Sequence, residues 1–353
     1  MQIVLIRFSS LGDVILQSPL LAWLKQNIKN CKITFITSEE FSSLVQGNKF
    51  IDEVITIKRL RGLEDIKQLK SLANKVSNDI KSDLIIDLHN TLRAKLFRIF
   101  CQRTPALVVY KRSFKRWLLV TFKINLLAKS ESHHQRLIQD LKFIFNKGFD
   151  PAKLVEFIQK TVSVKQVGLT SLPESFMGLS ENMIGDYLVI SPVASFESKR
   201  WPIESVNQLI TFILAAKEFD HFKIVIVAGP KDSYCQEILK SKRVLNFQGQ
   251  TSLSESINLI GNALICISND TGSSHIAEAL GVSCITIFGP TSPSFGFRTH
   301  LKNSQSVSAN VVCSPCSTTG KKDCSKASQV CMLEVTPEII FEKIMGTWEK
   351  VKN

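Results

Sequence analysis

The sequence lacks several features that would place the protein in a common class. Its most apolar stretch, 117–128, is too short to cross a bilayer and is interrupted by Lys123. The N-terminus runs from Met1 directly into an apolar segment, 3–6, and then Arg7, without the charged leader, longer apolar core and small-residue cleavage site of a signal peptide. Short repeats and low-complexity tracts are also missing. We therefore expect a folded protein that stays in the cytoplasm.

Acidic residues are scarce relative to basic ones. Against 44 Lys and Arg stand 31 Asp and Glu, which gives a formal net charge of +13 over 353 residues. This imbalance favours an anionic partner, whether nucleic acid, phospholipid or a phosphorylated substrate, and the charge alone does not choose among them. Hydrophobic residues at 44% and charged residues at 21% are typical of globular proteins and exclude a disordered or fibrous chain.

Short apolar runs alternate with segments whose apolar residues recur every three or four positions. This alternation predicts α/β architecture, with parallel strands joined by helices that cover both sheet faces. The stretch from about 165 to 186 has the Ser, Gly, Pro and Asn content of a linker. We predict two doubly wound, Rossmann-like domains, 1–175 and 176–353, with a last helix at about 337–350 that is a candidate to pack back on the N-terminal domain. The predicted strands are 3–7, 32–37, 54–57, 84–88, 107–110, 187–191, 222–228, 244–247, 263–268 and 283–288.

In such sheets ligands bind beyond the carboxyl ends of the strands, so the turns after strands are where chemistry is expected. The first turn, 7–13, reads RFSSLGD and lacks the three glycines of a dinucleotide-binding fingerprint, which disfavours a nicotinamide-dependent oxidoreductase. Asp13 fits two interpretations here. It could cap a helix, which its spacing favours, or act as a general base toward a substrate hydroxyl.

Two turns in the second half combine hydroxyl groups with cations or a helix start. The segment 192–202 places serines ahead of Lys199 and Arg200, which suits a phosphate as well as it suits a solvated basic pair. The segment 268–275 reads SNDTGSSH and leads into a helix, so its hydroxyls and free N–H groups predict an anion-binding turn.

The segment 110–117, YKRSFKRW, combines basic and aromatic residues on adjoining faces of a predicted helix. It is either a solvated helix face or a surface for anionic lipid or polyphosphate, and its aromatics are better placed for burial than for stacking on nucleic-acid bases.

Four of the nine cysteines lie close together near the C-terminus. They have the spacing C-x2-C-x7-C-x6-C and are Cys313, Cys316, Cys324 and Cys331. A structural zinc ion is one hypothesis, but a second C-x2-C is lacking, and we favour plain thiols in a loop near the site.

The motifs taken together resemble the ADP-heptose:lipopolysaccharide heptosyltransferases, glycosyltransferase family 9. The resemblance runs in order from residue 3 to about 337. It includes RFSSLGD at 7–13, DLHNTLR at 87–93, KRWP at 199–202, NDTG at 269–272 with His275, FGPT at 288–291 and CSPC at 313–316. The sequence departs from the family pattern at Val193 and at Asn90, where the family often has glycine.

The resemblance implies a GT-B fold, in which two Rossmann-like domains face a cleft. It also implies transfer of L-glycero-D-manno-heptose from its ADP-sugar to the inner core of lipopolysaccharide, with anomeric inversion and no metal cofactor. Asp13 would take the proton of the acceptor hydroxyl. Residues implied for the donor are Ser195, Lys199, Asp232, Thr251, Asp270, Thr271, Gly272 and His275; those implied for the acceptor are Ser10, Arg93, Lys111, Arg112, Lys115 and Arg116.

The charge adds an expectation of peripheral association with the cytoplasmic surface of the inner membrane, and nucleic acid is not an expected partner. Two alternatives stay open. One is a transferase or epimerase of the same fold that uses another nucleotide sugar. The other is a non-catalytic basic module for membranes or nucleic acid, which accounts for the charge but not for Asp13 or the turn 270–275.

Overall fold

A computed structural model describes residues 1–102, 104–109, 112–127, 186–321, 323–324 and 328–352. The described chain falls into two compact units. The first is formed by residues 1–112 and the second by residues 113–127 and 186–352. The predicted boundary at 175/176 lies outside the described residues and stays a prediction.

The first unit contains a five-stranded parallel sheet. Its strands lie in the order β3-β2-β1-β4-β5, so β1 is central, and Ile3 pairs with Ile33 on one side and Leu84 on the other. The strands are β1 (Gln2–Ile6), β2 (Lys32–Ser38), β3 (Glu53–Ile57), β4 (Leu84–Asp87) and β5 (Ala106–Val108). The helices are α1 (Leu11–Ile15), α2 (Ser18–Asn27), α3 (Gly62–Asn74) and α4 (Leu92–Phe100), with a 3-10 turn at Glu39–Leu44 and a π-turn at Lys75–Asp79.

The second unit contains a six-stranded parallel sheet in the order β11-β10-β9-β6-β7-β8. Its strands are β6 (Tyr187–Ser191), β7 (Lys223–Ile226), β8 (Val244–Asn246), β9 (Ile265–Asn269), β10 (Ser283–Phe288) and β11 (Gln305–Ser308). Its helices are α5 (Ser113–Phe122), α6 (Ile203–Ala215), α7 (Leu253–Gly261), α8 (Gly272–Ala279), α9 (Val330–Leu333) and α10 (Pro337–Lys352). Short 3-10 turns occupy Glu197–Lys199, Lys217–Phe219, Ser233–Glu237 and Pro293–Phe295.

The central strands carry continuous apolar runs because both faces of each sheet are covered there. Every side chain from Ile3 to Ile6 is fully buried, and the five residues of β6 are buried as well. The two-sheet α/β fold and all ten predicted strands are therefore confirmed.

β11 was not predicted, and its composition explains why. Its sequence, QSVS, has one aliphatic residue, and the strand is only partly buried at the sheet edge. A half-exposed edge strand gives no continuous apolar run, so its pairing with β10 is visible only in the fold.

The C-terminal helix α10 packs within the second unit. Ile340 and Ile344 are fully buried in that unit's core, and Trp348 packs on the rings of Phe219 and Phe222. None of the helices in the described ranges is long and apolar enough to cross a membrane.

Candidate active site

Each sheet has a switch point at which the strand order reverses. In the first unit β1 continues to β2 and β3 on one side, whereas β4 and β5 lie on the other; in the second unit β6 and β9 have the same relation. The loops after two such strands diverge and leave a crevice at the carboxyl edge, where ligands bind in doubly wound sheets. At the switch point of the first unit the loops 7–13 and 88–93 follow neighbouring strands. In the second unit the loops 192–202 and 270–275 do the same.

In the first unit the turn after β1 holds Asp13 between a cation and a hydroxyl. Ser10 is the N-cap residue of α1 and Asp13 is the third residue of the helix, so the helix-cap interpretation of Asp13 is not realised. Ser10 Oγ donates to Asp13 Oδ2 at 2.9 Å, and Arg7 forms an ion pair with the same oxygen. Arg7 is buried and also donates to Leu88 O, so the guanidinium ties the carboxylate to the loop after β4.

The loop after β4 is organised by Asp87. This fully buried carboxylate accepts the backbone N–H groups of His89 and Asn90 at 2.9 and 2.8 Å and pairs with Arg98. Asn90 has φ of +46°, a left-handed conformation that favours glycine and that asparagine tolerates. The departure from the family's glycine at Asn90 is therefore compatible with the same backbone. The His89 ring lies between the hydroxyls of Ser9 (3.3 Å) and Thr91.

Arg93, predicted to bind the acceptor, has partners within the first unit. Its guanidinium donates to Asp65 Oδ1 and Lys58 O, both at 2.6 Å, and lies 5.0 Å from the centre of the Phe8 ring. These contacts fix Arg93 beside the turn after β1, and its role toward an acceptor stays a prediction.

In the second unit the switch point brings Lys199 and Asp270 together. Lys199 Nζ lies 2.7 Å from Asp270 Oδ2, and the buried Thr291 donates its hydroxyl to the same oxygen at 2.7 Å. Three loops, after β6, β9 and β10, thus converge on one mostly buried carboxylate. The Lys199 side chain is about 14% exposed, and that of Asp270 about 8%.

The position of Lys199 depends on a distant glycine. A Cβ on Gly320 would overlap the Cγ and Cδ carbons of Lys199, and Gly320 has φ of +87°. The neighbouring Ser198 donates to Gly320 O at 2.5 Å. The loop that carries Gly320 is attached to the turn after β10, because the N–H groups of Cys316 and Ser317 both donate to Pro290 O at 3.0 Å.

The turn before α8 presents hydroxyls and backbone N–H groups. Thr271 is the N-cap residue, Gly272 begins the helix, and Ser191 of β6 donates to Ser273 at 2.8 Å. The first N–H groups of a helix have no partner within it, so this end favours an anion. His275 is buried one turn further on, with its ring 5.8 Å from that of Phe297.

Three other predicted donor residues lie on loops of the same unit. Asp232 accepts the Gly229 N–H at 2.9 Å and lies 3.9 Å from Arg200 Nη2. Thr251 shares a hydroxyl contact of 2.8 Å with Ser256. Ser195 is exposed on the loop after β6. The structure thus places all three at the surface of the second unit without testing their role.

The predicted acceptor cations differ in their surroundings. Arg116 donates to Phe295 O at 3.2 Å and lies over the rings of Phe295 and Phe297. Lys115 is exposed and Arg112 is half-buried. Lys111 lies outside the described residues. All four stay predictions as acceptor ligands.

The cysteine cluster shows thiols rather than disulfides. Cys313, Cys316 and Cys324 are half-buried and Cys331 is buried. Burial, with the neighbouring thiols adding to it, raises the pKa of the Cys331 thiol to about 11. Within the described ranges, no three His, Cys, Asp or Glu side chains lie where they could hold one metal ion. The zinc hypothesis gains no support from this arrangement, and a metal-free reaction stays a prediction.

Sequence reasoning missed Arg7, His89, Thr291 and Gly320 as parts of the two sites. Arg7 and His89 stand inside recognised motifs, so their position could have been noticed. Thr291 likewise ends the FGPT motif at 288–291. Gly320 meets the Lys199 side chain across 121 positions of chain, and no local pattern predicts that contact.

Comparison with known proteins bears on the chemistry of these sites. The family model "Glycosyltransferase family 9 (heptosyltransferase)" matches residues 79–326. Lipopolysaccharide heptosyltransferase 1 of Campylobacter coli is 28% identical over 312 residues, covering 85% of this chain and 88% of the relative.

Two solved structures share the fold. Escherichia coli ADP-heptose lps heptosyltransferase II is 18% identical with a TM-score of 0.71 and covers 100% of both chains. An E. coli heptosyltransferase solved with ADP-2-deoxy-2-fluoro heptose is 20% identical with a TM-score of 0.64, covering 97% of this chain and 99% of that one. Both likenesses support the two-domain, Rossmann-like GT-B architecture. Since the family model spans most of the chain, this protein belongs to glycosyltransferase family 9, the heptosyltransferases, and is a glycosyltransferase.

Proposed function

We propose that this enzyme transfers L-glycero-D-manno-heptose from ADP-heptose to the inner core of lipopolysaccharide, on a lipid A–Kdo or heptosyl acceptor. The family membership and the Campylobacter coli relative support the sugar and the acceptor class. The donor nucleotide is supported by the E. coli heptosyltransferase solved with an ADP-heptose analogue.

The observation that carries the proposal is the convergence of Lys199, Asp270 and the α8 N-terminus at one switch point. A departing diphosphate gains negative charge in the transition state, so a cation and helix N–H groups directed at it lower the barrier. Asp270 and Thr291 fix the Lys199 ammonium group before any ligand arrives. Fixed donors do not have to reorganise during the reaction, which is what makes them effective. The donor roles of Ser195, Asp232, Thr251, Thr271, Gly272 and His275 belong to the same proposal.

On the acceptor side, Asp13 acts as general base in a direct displacement that inverts the anomeric carbon. The acceptor O–H bond breaks and its proton passes to the Asp13 carboxylate, while the acceptor oxygen forms the new bond to the anomeric carbon. The bond from that carbon to the diphosphate breaks, and its electron pair leaves with ADP. Arg7 and Ser10 support this role, since they orient the carboxylate while leaving it about 24% exposed.

The basic residues Arg93, Lys111, Arg112, Lys115 and Arg116 serve the anionic acceptor in this proposal, with no metal ion required. Association with the cytoplasmic face of the inner membrane is part of it, because an acceptor built on lipid A is embedded there. The net charge of +13 supports attraction to such an anionic surface.

Calorimetric titration with ADP and then UDP, at one fixed moderate salt concentration, tests the donor assignment. We expect wild type to bind ADP in preference to UDP, and Lys199→Ala to lose ADP binding by tenfold or more. The exposed Lys240→Ala on the same unit is the matched control and should bind as wild type does. Preference for UDP would retain the fold and overturn the ADP-heptose assignment. Absence of nucleotide binding would favour the non-catalytic basic module.

A further inference from the structure

Helix α5 has some apolar side chains that are buried and others that are exposed. Leu119 is buried against Phe295, with Val120 beside it. Phe114 and Phe122, near the two ends of the helix, are 69% and 57% exposed. A surface helix ordinarily has one apolar stripe facing the core, so the exposed apolar side chains of α5 call for a partner of their own.

The exposed rings of Phe114, Trp117 and Phe122 form a surface that we call the aromatic ridge, and two further exposed apolar residues, Ile124 and Leu126, follow it in the chain. The Phe114 and Trp117 rings stack at 5.8 Å, and Trp117 meets Phe122 edge-on at 5.4 Å. Single exposed apolar residues are ordinary, but five within thirteen positions are a patch.

Hydrogen bonds and apolar contacts attach the segment 113–127, which carries the ridge, to the rest of the second unit. Lys123 Nζ donates to Cys313 O at 2.8 Å and Pro315 O at 2.6 Å, and Arg116 donates to Phe295 O. Leu127, at the end of that segment, is buried in the same small cluster as Leu119. The ridge is therefore presented on a fixed base and loses little conformational freedom when a partner binds it.

The charge around the ridge identifies the class of partner. Residues 112–127, the described part of the chain that carries the ridge, contain four Lys and Arg and no Asp or Glu. Within that segment Lys115 is exposed and lies next to Phe114 on the helix. Exposed aromatic side chains beside basic residues match the boundary between anionic headgroups and acyl chains.

We propose that the aromatic ridge docks the protein on an anionic lipid bilayer, with Phe114, Trp117 and Phe122 entering the headgroup–acyl boundary and neighbouring cations contacting lipid phosphates. Its purpose, to bring the enzyme to a lipid-linked acceptor, rests on the proposed function; the docking itself does not.

Vesicle flotation with acceptor-free lipid tests the docking independently of catalysis. The vesicles are phosphatidylethanolamine with phosphatidylglycerol, 3:1, and pure phosphatidylcholine. The test variant is Phe114→Ser/Trp117→Ser/Phe122→Ser, and the matched control is Leu63→Ser/Leu92→Ser/Ile99→Ser, three apolar residues that are 76%, 74% and 56% exposed on the first unit. We expect wild type and control to float with the anionic vesicles, the test variant to lose at least tenfold in partition, and pure phosphatidylcholine to bind weakly.

Tryptophan fluorescence gives a readout at the ridge itself. Trp23 and Trp201 are buried and Trp348 is packed against Phe219 and Phe222, so Trp117 is the tryptophan that a bilayer would reach. Its emission should shift to the blue on anionic vesicles and be quenched by brominated lipid, and Trp117→Phe should abolish the response while keeping the flotation.

Three results would overturn the proposal: no vesicle binding by wild type, equal binding by the test variant, or a concentration-dependent dimer in sedimentation that the test variant abolishes. ADP titration of the test variant shows whether it is folded. If ADP binding fails in wild type while the vesicle results hold, the proposed function falls and the docking surface stands.

Discussion

The two units each place an aspartate at the carboxyl edge of a parallel sheet and pair it with a cation, yet the two aspartates differ in what surrounds them. Asp13 pairs with Arg7 and accepts from Ser10, and its side chain is about 24% exposed. Asp270 pairs with Lys199 and accepts from Thr291, and its side chain is about 8% exposed. The more exposed carboxylate is suited to exchanging a proton with a substrate. The buried one is suited to holding a cation in place.

This difference shows that an ion pair at a switch point does not by itself tell which of its two residues would meet a ligand. In the first unit the cation is the buried member and the carboxylate faces outward; in the second unit the carboxylate is the more buried member. The residues proposed to meet the substrates, Asp13 as base and Lys199 as diphosphate ligand, are the more exposed members of their pairs.

Asp270→Asn removes the charge of the more buried of the two aspartates, and we expect it to have the largest effect on the free energy of unfolding. It leaves Lys199 in a mostly buried site without a counter-ion, which costs about 3–5 kcal/mol of unfolding free energy in the ligand-free protein. ADP should restore a larger share of stability in this variant than in wild type, because its diphosphate replaces the lost negative charge. Thermal unfolding with and without ADP measures this, with the exposed Asp220→Asn as control. An equal ADP-induced rise in Tm for both proteins would contradict the assigned contact.

Glu278 extends the comparison of the two aspartates to a third carboxylate. It is buried and accepts hydrogen bonds from N–H and O–H groups, whereas Asp13 and Asp270 pair with cations. It accepts from the backbone of His300 at 2.5 Å and of Leu301 at 3.2 Å, and burial raises its pKa from 4.5 to about 7. Between these values the folded protein binds more protons than the unfolded chain, so this group lowers stability as pH rises from about 4.5 to about 7.

The resulting loss is about 3 kcal/mol above pH 7, and Glu278→Gln should remove it. The glutamine oxygen retains an acceptor for both N–H groups, so the variant should equal or exceed wild type in stability at pH 7.5. Denaturant unfolding at pH 5, 6, 7 and 8 tests this, with the exposed Glu334→Gln as control. If wild type and Glu278→Gln share one pH profile, the raised pKa is wrong.

Gly320→Ala tests whether glycine at position 320 is needed to hold the Lys199 side chain in place. We expect it to have the smallest effect on the free energy of unfolding. The added methyl group would overlap the lysine stem, and alanine is strained at φ of +87°, for a cost of about 1–2 kcal/mol. ADP affinity should fall about tenfold, since the ammonium group moves away from Asp270. Gly346→Ala, which meets open space within helix α10, should leave ADP affinity unchanged. If Gly320→Ala and Gly346→Ala bind ADP with equal affinity, Gly320 has no role in the proposed donor site.

Much of this arrangement was predictable from sequence, and the remainder has an identifiable cause. The buried strands are recognisable as apolar runs. Asp270 follows β9 directly, and Asp13 and Lys199 belong to the turns after β1 and β6, so parallel-sheet topology predicts that they lie at the carboxyl edges. The contact of Gly320 with Lys199 is visible only in the folded chain. Likewise, no local signal shows that the segment 113–127 packs on Phe295 of the second unit.

The division of roles between the two aspartates is tested most directly by kinetics of Asp13→Asn with ADP-heptose and a truncated core acceptor. The account predicts that kcat falls by about 10²–10⁴ while the Kd for ADP stays within twofold of wild type, because the lost group acts only on the acceptor proton. Asp83→Asn, at the amino edge of the same sheet, should retain wild-type kcat. A kcat within tenfold of wild type, or a parallel loss of ADP affinity, would contradict the assignment of Asp13 as the base.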